Sequence, residues 1–312
     1  GVPTSEYRSS SDDRSATVSL APRYSEYMNR EADGSLSDRV FVSFHSNAGG
    51  SRGVVGLHNT ANGGNTPNQF LLAETLAKEV NDDLVAQDSQ FEHDWFNRGT
   101  NLTYQASFNY GEINNAYAQN EFDATIVETA FHDNRLDAEL MRDADVREAI
   151  ARATYQGLVR YFHAVDGGAT SLTMMPGQVA GVRAETTGVG QVTVSWDAPP
   201  VSSYSGDAPT GYRIYGSTNG YGFDGGTVVA GANATSYTFT DLDPNEGAYY
   251  FKVAAVNGSG EGKASEVTAA IARGADAQVL VVNGFDRLGR TQNPVQGGVE
   301  RVRPRESNSF DY

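Results

Sequence analysis

The sequence predicts an α/β domain with a mostly parallel sheet, followed by an all-β antiparallel sandwich. Three observations carry this. Strand-like and helix-like stretches alternate as far as about Val165, an aperiodic Gly-rich stretch follows, and the hydrophobic period then changes to two as far as about Ala272. These place the α/β domain at residues 1–165, a linker at 166–177, the sandwich at 178–272, and the start of a truncated third domain or tail at 273–312.

In the first part, Val40 to Phe44 and Ala124 to Glu128 are short apolar runs that break into small polar residues. Buried parallel strands read this way where they reach the edge of a sheet, and ligands collect at such edges. The first run delivers His45 and the second Glu128. Pro67 to Leu84 carries Phe70, Leu71, Ala73, Thr75, Leu76 and Val80 at helical spacing, and Asp137 to Phe162 does the same with Leu140, Val146, Ile150, Ala153, Leu158 and Phe162. Asp137 stands near the start of that last helix, where the macrodipole favours an acid.

Asp166 to Gly177 (DGGATSLTMMPG) has no period and reads as a linker. Beyond it Gln191 to Trp196, Gly211 to Tyr215, Ser236 to Thr240 and Tyr249 to Val256 alternate, separated by Pro, Gly, Asn and Asp clusters, which indicates an antiparallel sandwich. The last forty residues open with an apolar strand, AQVLVVNGFDRLG, that lacks enough following chain to pair with.

Composition narrows the function classes. The 39 acidic and 23 basic residues leave a formal charge of −16, which opposes binding to DNA or RNA. No apolar run approaches the roughly 20 residues a membrane span needs. Cysteine is absent, so thiol nucleophiles, Cys-rich zinc sites and disulfides are excluded.

The runs VTVSWDAP, GYRIYGSTNG and TSYTFTDLDPNEGAYYFKVAAVNGSGEGKAS resemble a fibronectin type III domain. That resemblance makes Trp196 the core tryptophan, Leu242 the corner leucine and Tyr250 the aromatic that anchors the sixth strand. Such sandwiches serve as spacers, adhesion modules and occasional polysaccharide binders, so fold alone assigns no role. The AQVLVVNGFDRLG stretch resembles the opening of a golvesin or xanthan-lyase-like C-terminal region.

The N-terminal part resembles the N-acetylmuramoyl-L-alanine amidases of the amidase-3 family. FHSNA matches the family's strand ending in His-x-Asn, and VETAFHDN matches its later strand ending in a glutamate followed by a Phe-x-x-Asn turn. LAPR (Leu20 to Arg23) resembles the leucine-x-x-arginine that opens the helix before the histidine strand, and LDAELMRDADVREAIARATYQGLVRYF the terminal helix. The resemblance implies an enzyme of the bacterial cell envelope, secreted or periplasmic. It would hydrolyse the amide between N-acetylmuramic acid and L-alanine in peptidoglycan with a zinc ion (Zn2+) as cofactor. It makes His45 a zinc ligand and Glu128 the general base, with Asn47 and His132 as supporting residues. Zinc would lower its water's pKa to about 7, and a nearby carboxylate would pass the proton to the departing amine.

The departure from the family pattern matters equally. Members carry two further ligands upstream, a histidine in a Gly-His-Gly-Gly turn and a glutamate on the following helix, whereas this chain has no histidine before His45. On that alignment Gly1 falls just after the family's first strand and helix. Two of three protein ligands are then missing, and the chain as given is expected to bind zinc weakly and is open to being inactive. The alternative reading is a noncatalytic wall or polysaccharide-binding protein with a degenerate amidase-like domain.

Other candidates have plainer readings beside them. His58, on the loop after the His45 strand, could approach the same edge, but the plainer reading is a surface or turn histidine; His93 and His163 read as loop and helix-end residues. Asn47 either holds the His45 loop or caps its own turn. Glu112 reads as a solvated loop residue rather than a substrate-side acid. For Glu128 the plain alternative is a strand-end carboxylate paired with an arginine such as Arg135.

Overall fold

The computed structural model describes residues 1–30, 36–60 and 62–274, with the short antiparallel pair Val295–Gln296 and Val299–Glu300. The chain divides into two compact units whose boundary falls between Leu172 and Thr173, inside the expected linker. The strand expected in AQVLVVNGFDRLG lies outside the described residues.

The first unit opens with a single turn, α1 (Thr4–Tyr7), and a long helix, α2 (Asp13–Asn29), capped by the Asp12 carboxylate on Ser15 N at 2.8 Å. LAPR therefore lies in the middle of α2, with Pro22 inside the helix, and does not open it as the resemblance implied. Strand β1 (Val40–Asn47) and short β2 (Val55–Leu57) follow, then α3 (Gln69–Ala86), β3 (Thr103–Tyr104), the single turn α4 (Asn115–Ala118) and β4 (Asp123–Phe131).

The sheet order is β1-β4-β2-β3. Pairs β1/β4 and β2/β3 are parallel and β2/β4 is antiparallel. The fully buried strand β2 stands where a loop is expected after the His45 strand, since three residues are too few to show a period.

The terminal helix is two helices, α5 (Arg135–Arg142) and α6 (Ala144–Val165). Asp143 adopts extended backbone and caps α6 by accepting from Asp145 N at 2.9 Å, which interrupts an otherwise continuous apolar stripe. One face of the sheet packs on α3 and α6 through Leu72, Leu76, Val80, Leu84, Val127, Ile150 and Ala153. The stripe of α3 is rotated from the expected one: Phe70 is exposed, whereas Leu72, Ala77 and Leu84 are buried. Helix α3 and β2 approach so closely that a Cβ on Gly56 would stand 2.3 Å from the Ala73 carbonyl oxygen. The opposite face carries a second cluster of Val55, Leu57, Ile113, Phe122, Ala124 and Ile126.

The second unit is an antiparallel sandwich. One sheet joins β5 (Ala180–Gly188), β6 (Gln191–Asp197) and β9 (Ser236–Phe239); the other joins β7 (Gly211–Ser217), β8 (Thr227–Ala230), β10 (Tyr249–Asn257), β11 (Gly260–Glu261) and β12 (Thr268–Ala270). Trp196 lies in the core and Leu242 packs against it. Tyr250 does not anchor β10: Phe251 fills the core, and Tyr249 donates its hydroxyl to Asp243 O at 3.2 Å. Period-two alternation explains the exchange, since Tyr250 points away from the face that Phe251 and Val253 share.

The linker is structured at both ends. Asp166 accepts from Gly168, Ala169 and Thr170 N after α6. Met174 N donates to Asp207 at 2.7 Å, and Asn257 donates to Met174 O at 2.8 Å, fastening that segment to the sandwich.

Candidate active site

The parallel register of β1 and β4 sets His45 directly opposite Glu128, with Ser43 opposite Ile126 and Phe41 opposite Ala124. Alternation along each strand then places Phe41, Ser43, His45, Ala124, Ile126 and Glu128 on one face. Ala124 and Ile126 are buried and Phe41 partly so, whereas His45 at the polar end is exposed. Beyond it the strands continue to Asn47 and Phe131, where Asn47 O accepts from His132 N at 2.9 Å.

Glu128 is only 9% exposed, and its Oε2 is buried with no hydrogen-bond partner among the described residues. Burial pushes its carboxyl pKa above the ordinary value; the His45 and His132 imidazoles oppose that shift and Glu112 adds to it. Arg135 is not its partner, since it donates to Glu139 at 2.9 Å one helical turn on. A buried carboxyl with an unsatisfied oxygen costs free energy.

Glu112, read from sequence as a solvated loop residue, belongs to the site. Its Oε2 is 2.9 Å from His45 Nε2, and its Oε1 accepts from the Ser43 hydroxyl. The 3-10 turn Gly111–Ile113 that carries it is fixed from two sides. Gln69, almost wholly buried, donates to Ile113 O and Ala124 O, each at 2.8 Å, and accepts from Asn59 N at 2.7 Å. On the other side α2 presses so close that a Cβ on Gly111 would meet Val18 Cγ1 at 2.6 Å.

His132 is exposed, with Nδ1 3.0 Å from the Ser46 hydroxyl. The Asn47 side chain accepts from Ala48 N at 2.8 Å, so it caps its own turn. The loop that follows is held by Asp133, whose Oδ2 accepts from Gly49 and Gly50 N. Asp137, expected only as a helix-start acid, is fully buried. It accepts from Arg52 Nε at 2.7 Å, Gly53 N at 2.8 Å and Phe131 N at 3.1 Å, tying the ends of the site's strands together.

The remaining histidines stand apart. His58 follows β2 at the end remote from Glu128, edge-on to Phe70 at 5.1 Å. His93 contacts Glu139 at 2.7 Å and His163 contacts Thr170 O at 2.7 Å.

Among the described residues no group of three or more His, Asp or Glu side chains could hold a metal ion. The adjacent pair His45 and Glu112 offers two donors, whereas a catalytic zinc usually takes three from the protein. The described residues therefore do not fit a complete zinc centre. They do fit proton transfer: a desolvated carboxyl, an imidazole opposite it in register, and a second carboxylate on that imidazole.

Residues 8–160 match the model of the N-acetylmuramoyl-L-alanine amidase family, and residues 177–271 match that of the fibronectin type III domain. No curated protein matches the chain. Among solved structures, the FN1–FN3 domains of chicken CNTN1 are 21% identical at a TM-score of 0.28, covering 32% of this chain and 33% of that one. This chain thus spans about a third of that relative's length. The third fibronectin III domain of human KIAA0343 protein is 23% identical at a TM-score of 0.29, covering 36% of this chain and 95% of that one. A β-1,2-glucanase from Parabacteroides distasonis is 19% identical at a TM-score of 0.25, covering 32% of this chain and 12% of that one.

Proposed function

We propose, from the premise that residues 8–160 form a domain of the N-acetylmuramoyl-L-alanine amidase family, that this protein hydrolyses the amide joining N-acetylmuramic acid to L-alanine in bacterial peptidoglycan. In this proposal Glu128 is the general base, His45 presents a nitrogen to a zinc ion, and Asn47 and His132 support the loop around them. The observation that carries the reading is the buried, partnerless Oε2 of Glu128 opposite His45.

An amide is a poor electrophile and its amine a poor leaving group, so the reaction needs a base for water and an acid for the departing nitrogen. One carboxyl can do both in succession. A raised pKa suits Glu128 to this, because a more basic carboxylate takes a proton more readily and still gives it up to an amine. His132, close enough to act on Glu128 electrostatically, favours its ionised form before the reaction. His45 and Glu112 would supply two of the donors a zinc ion needs, and a zinc held there would polarise the carbonyl and acidify the water.

The fibronectin type III domain would act as a spacer or hold polysaccharide, and the site of action would be the secreted or envelope compartment. Among the described residues no helix is long and apolar enough to cross a membrane. A noncatalytic wall-binding role is the second reading, favoured by the two-donor set around His45.

The test is release of muramic-acid-free peptides from purified sacculi by the purified protein supplied with zinc. Activity that disappears in Glu128→Gln supports the enzyme. Sacculus binding without release in the wild-type protein supports the second reading.

A further inference from the structure

We propose that Tyr104, Phe108 and Tyr110 form a stacking wall on the sheet face that carries Glu128, and that this wall receives a neutral N-acetylated pyranose ring of the glycan strand. Only the choice of glycan rests on the amidase reading above.

Tyr104 ends β3 opposite Leu57, and Leu57 is opposite Ile126, so alternation places Tyr104 on the face that carries Glu128. Tyr110 packs against the apolar cluster on that same face. Phe108 meets Tyr110 edge to face, with ring centroids 5.0 Å apart. Burial raises the pKa of the Tyr110 hydroxyl, and Tyr104 and Glu128 add to the shift, which places all three groups within electrostatic reach.

Tyr104 is 57% and Phe108 62% exposed, so the fold gains little from burying either ring. Single exposed apolar residues are ordinary, but these belong to one wall whose flanking residues are held by hydrogen bonds. Asn109 accepts from Thr60 N at 3.0 Å and Thr60 Oγ1 at 2.9 Å. Buried Asn59 accepts from Tyr110 N at 2.7 Å and donates to Tyr110 O at 3.0 Å. His58 N donates to Tyr104 O at 3.3 Å. Bonds on both sides of the loop limit its freedom, and preorganisation of that kind lowers the entropy lost on binding.

The chemistry of the wall selects the ligand. Flat rings match the C–H face of a pyranose, and the two tyrosine hydroxyls can reach its hydroxyl and acetamido groups. The carboxylates of a stem peptide would meet Glu112, Glu128 and a chain of net charge −16. A neutral sugar meets no such repulsion.

Calorimetric titration of the full chain with tetra-N-acetylchitotetraose, and separately with a sugar-free stem peptide, tests this. The saccharide is expected to bind the wild-type protein, and the Tyr104→Ala/Phe108→Ala double variant at least about tenfold more weakly. Phe108→Tyr, which keeps a ring, is expected to retain binding, and an unchanged melting profile confirms the fold of each variant. Saccharide binding together with failure to cleave sacculi keeps the wall and removes only the hydrolytic reading. Equal affinity in the double variant, preference for the peptide, or no saccharide binding by the wild-type protein overturns the proposal.

Discussion

Replacing Asp137 with asparagine should destabilise the first unit selectively. The carboxylate is fully buried and accepts three hydrogen bonds, one from a guanidinium and two from backbone N–H groups. Asparagine keeps one acceptor. If its oxygen serves Gly53 and Phe131, its NH2 group faces Arg52 Nε–H, donor against donor, beside a guanidinium that is itself largely buried. Breaking a buried pair by removing one charge costs about 3–5 kcal/mol, and Asp137→Ala should cost more because it also strands two backbone donors at about 1–3 kcal/mol each. For a unit of this size about 3 kcal/mol lowers the melting temperature by roughly 6–12 °C. Calorimetry should resolve the two units, with the sandwich transition unmoved as an internal reference. An Asp137→Asn protein within about 1 kcal/mol of wild type, a small share of ordinary domain stability, would refute the reasoning.

Other consequences are equally specific. Burial first, and the neighbouring Glu79 next, push the Asp83 pKa from 3.8 to about 7, with Arg160 opposing. A raised folded-state pKa gives stability that is complete below about pH 4 and is lost as pH rises to about 7, on the order of 4 kcal/mol at most. Denaturation midpoints measured across that window should fall in the wild type and flatten in Asp83→Asn; a parallel fall in both would contradict the assignment. Gly56→Ala forces a methyl against the Ala73 carbonyl and should cost about 1–3 kcal/mol in chemical denaturation, with no loss meaning that β2 and α3 separate freely. Zinc titrated into the 312-residue chain should bind with a dissociation constant weaker than about 1 μM, since His45 and Glu112 supply two donors. Nanomolar binding would reveal a third.

The strand ends were legible because both runs are mostly apolar and break into polar residues at His45 and Glu128; β4 is the buried strand expected, whereas β1 lies at the sheet edge with no fully buried residue. Their register was not, since sequence does not state which strand neighbours which. Glu112 reads from sequence as a solvated loop residue because its partners are far off, Ser43 lying 69 residues away. Only the support of its turn by Gln69 and α2 brings it over β1. Asp137 was legible as a helix-start acid, but its task depends on a loop at Arg52 and Gly53 whose course sequence does not reveal. The apolar period of the last helix concealed its break because Asp143 caps locally without disturbing the spacing. Tyr104 and Phe108 carried no signal, as exposed aromatics resemble core residues until a structure shows them in solvent.

The most direct test of the account is cleavage of purified sacculi by zinc-supplied wild-type and Glu128→Gln proteins, read as muramic-acid-free peptides released per unit time. A general base contributes typically 10²–10⁴-fold, so the variant should lose about that factor while still sedimenting with sacculi. A Glu128→Gln protein that releases peptides as fast as wild type would contradict the central claim.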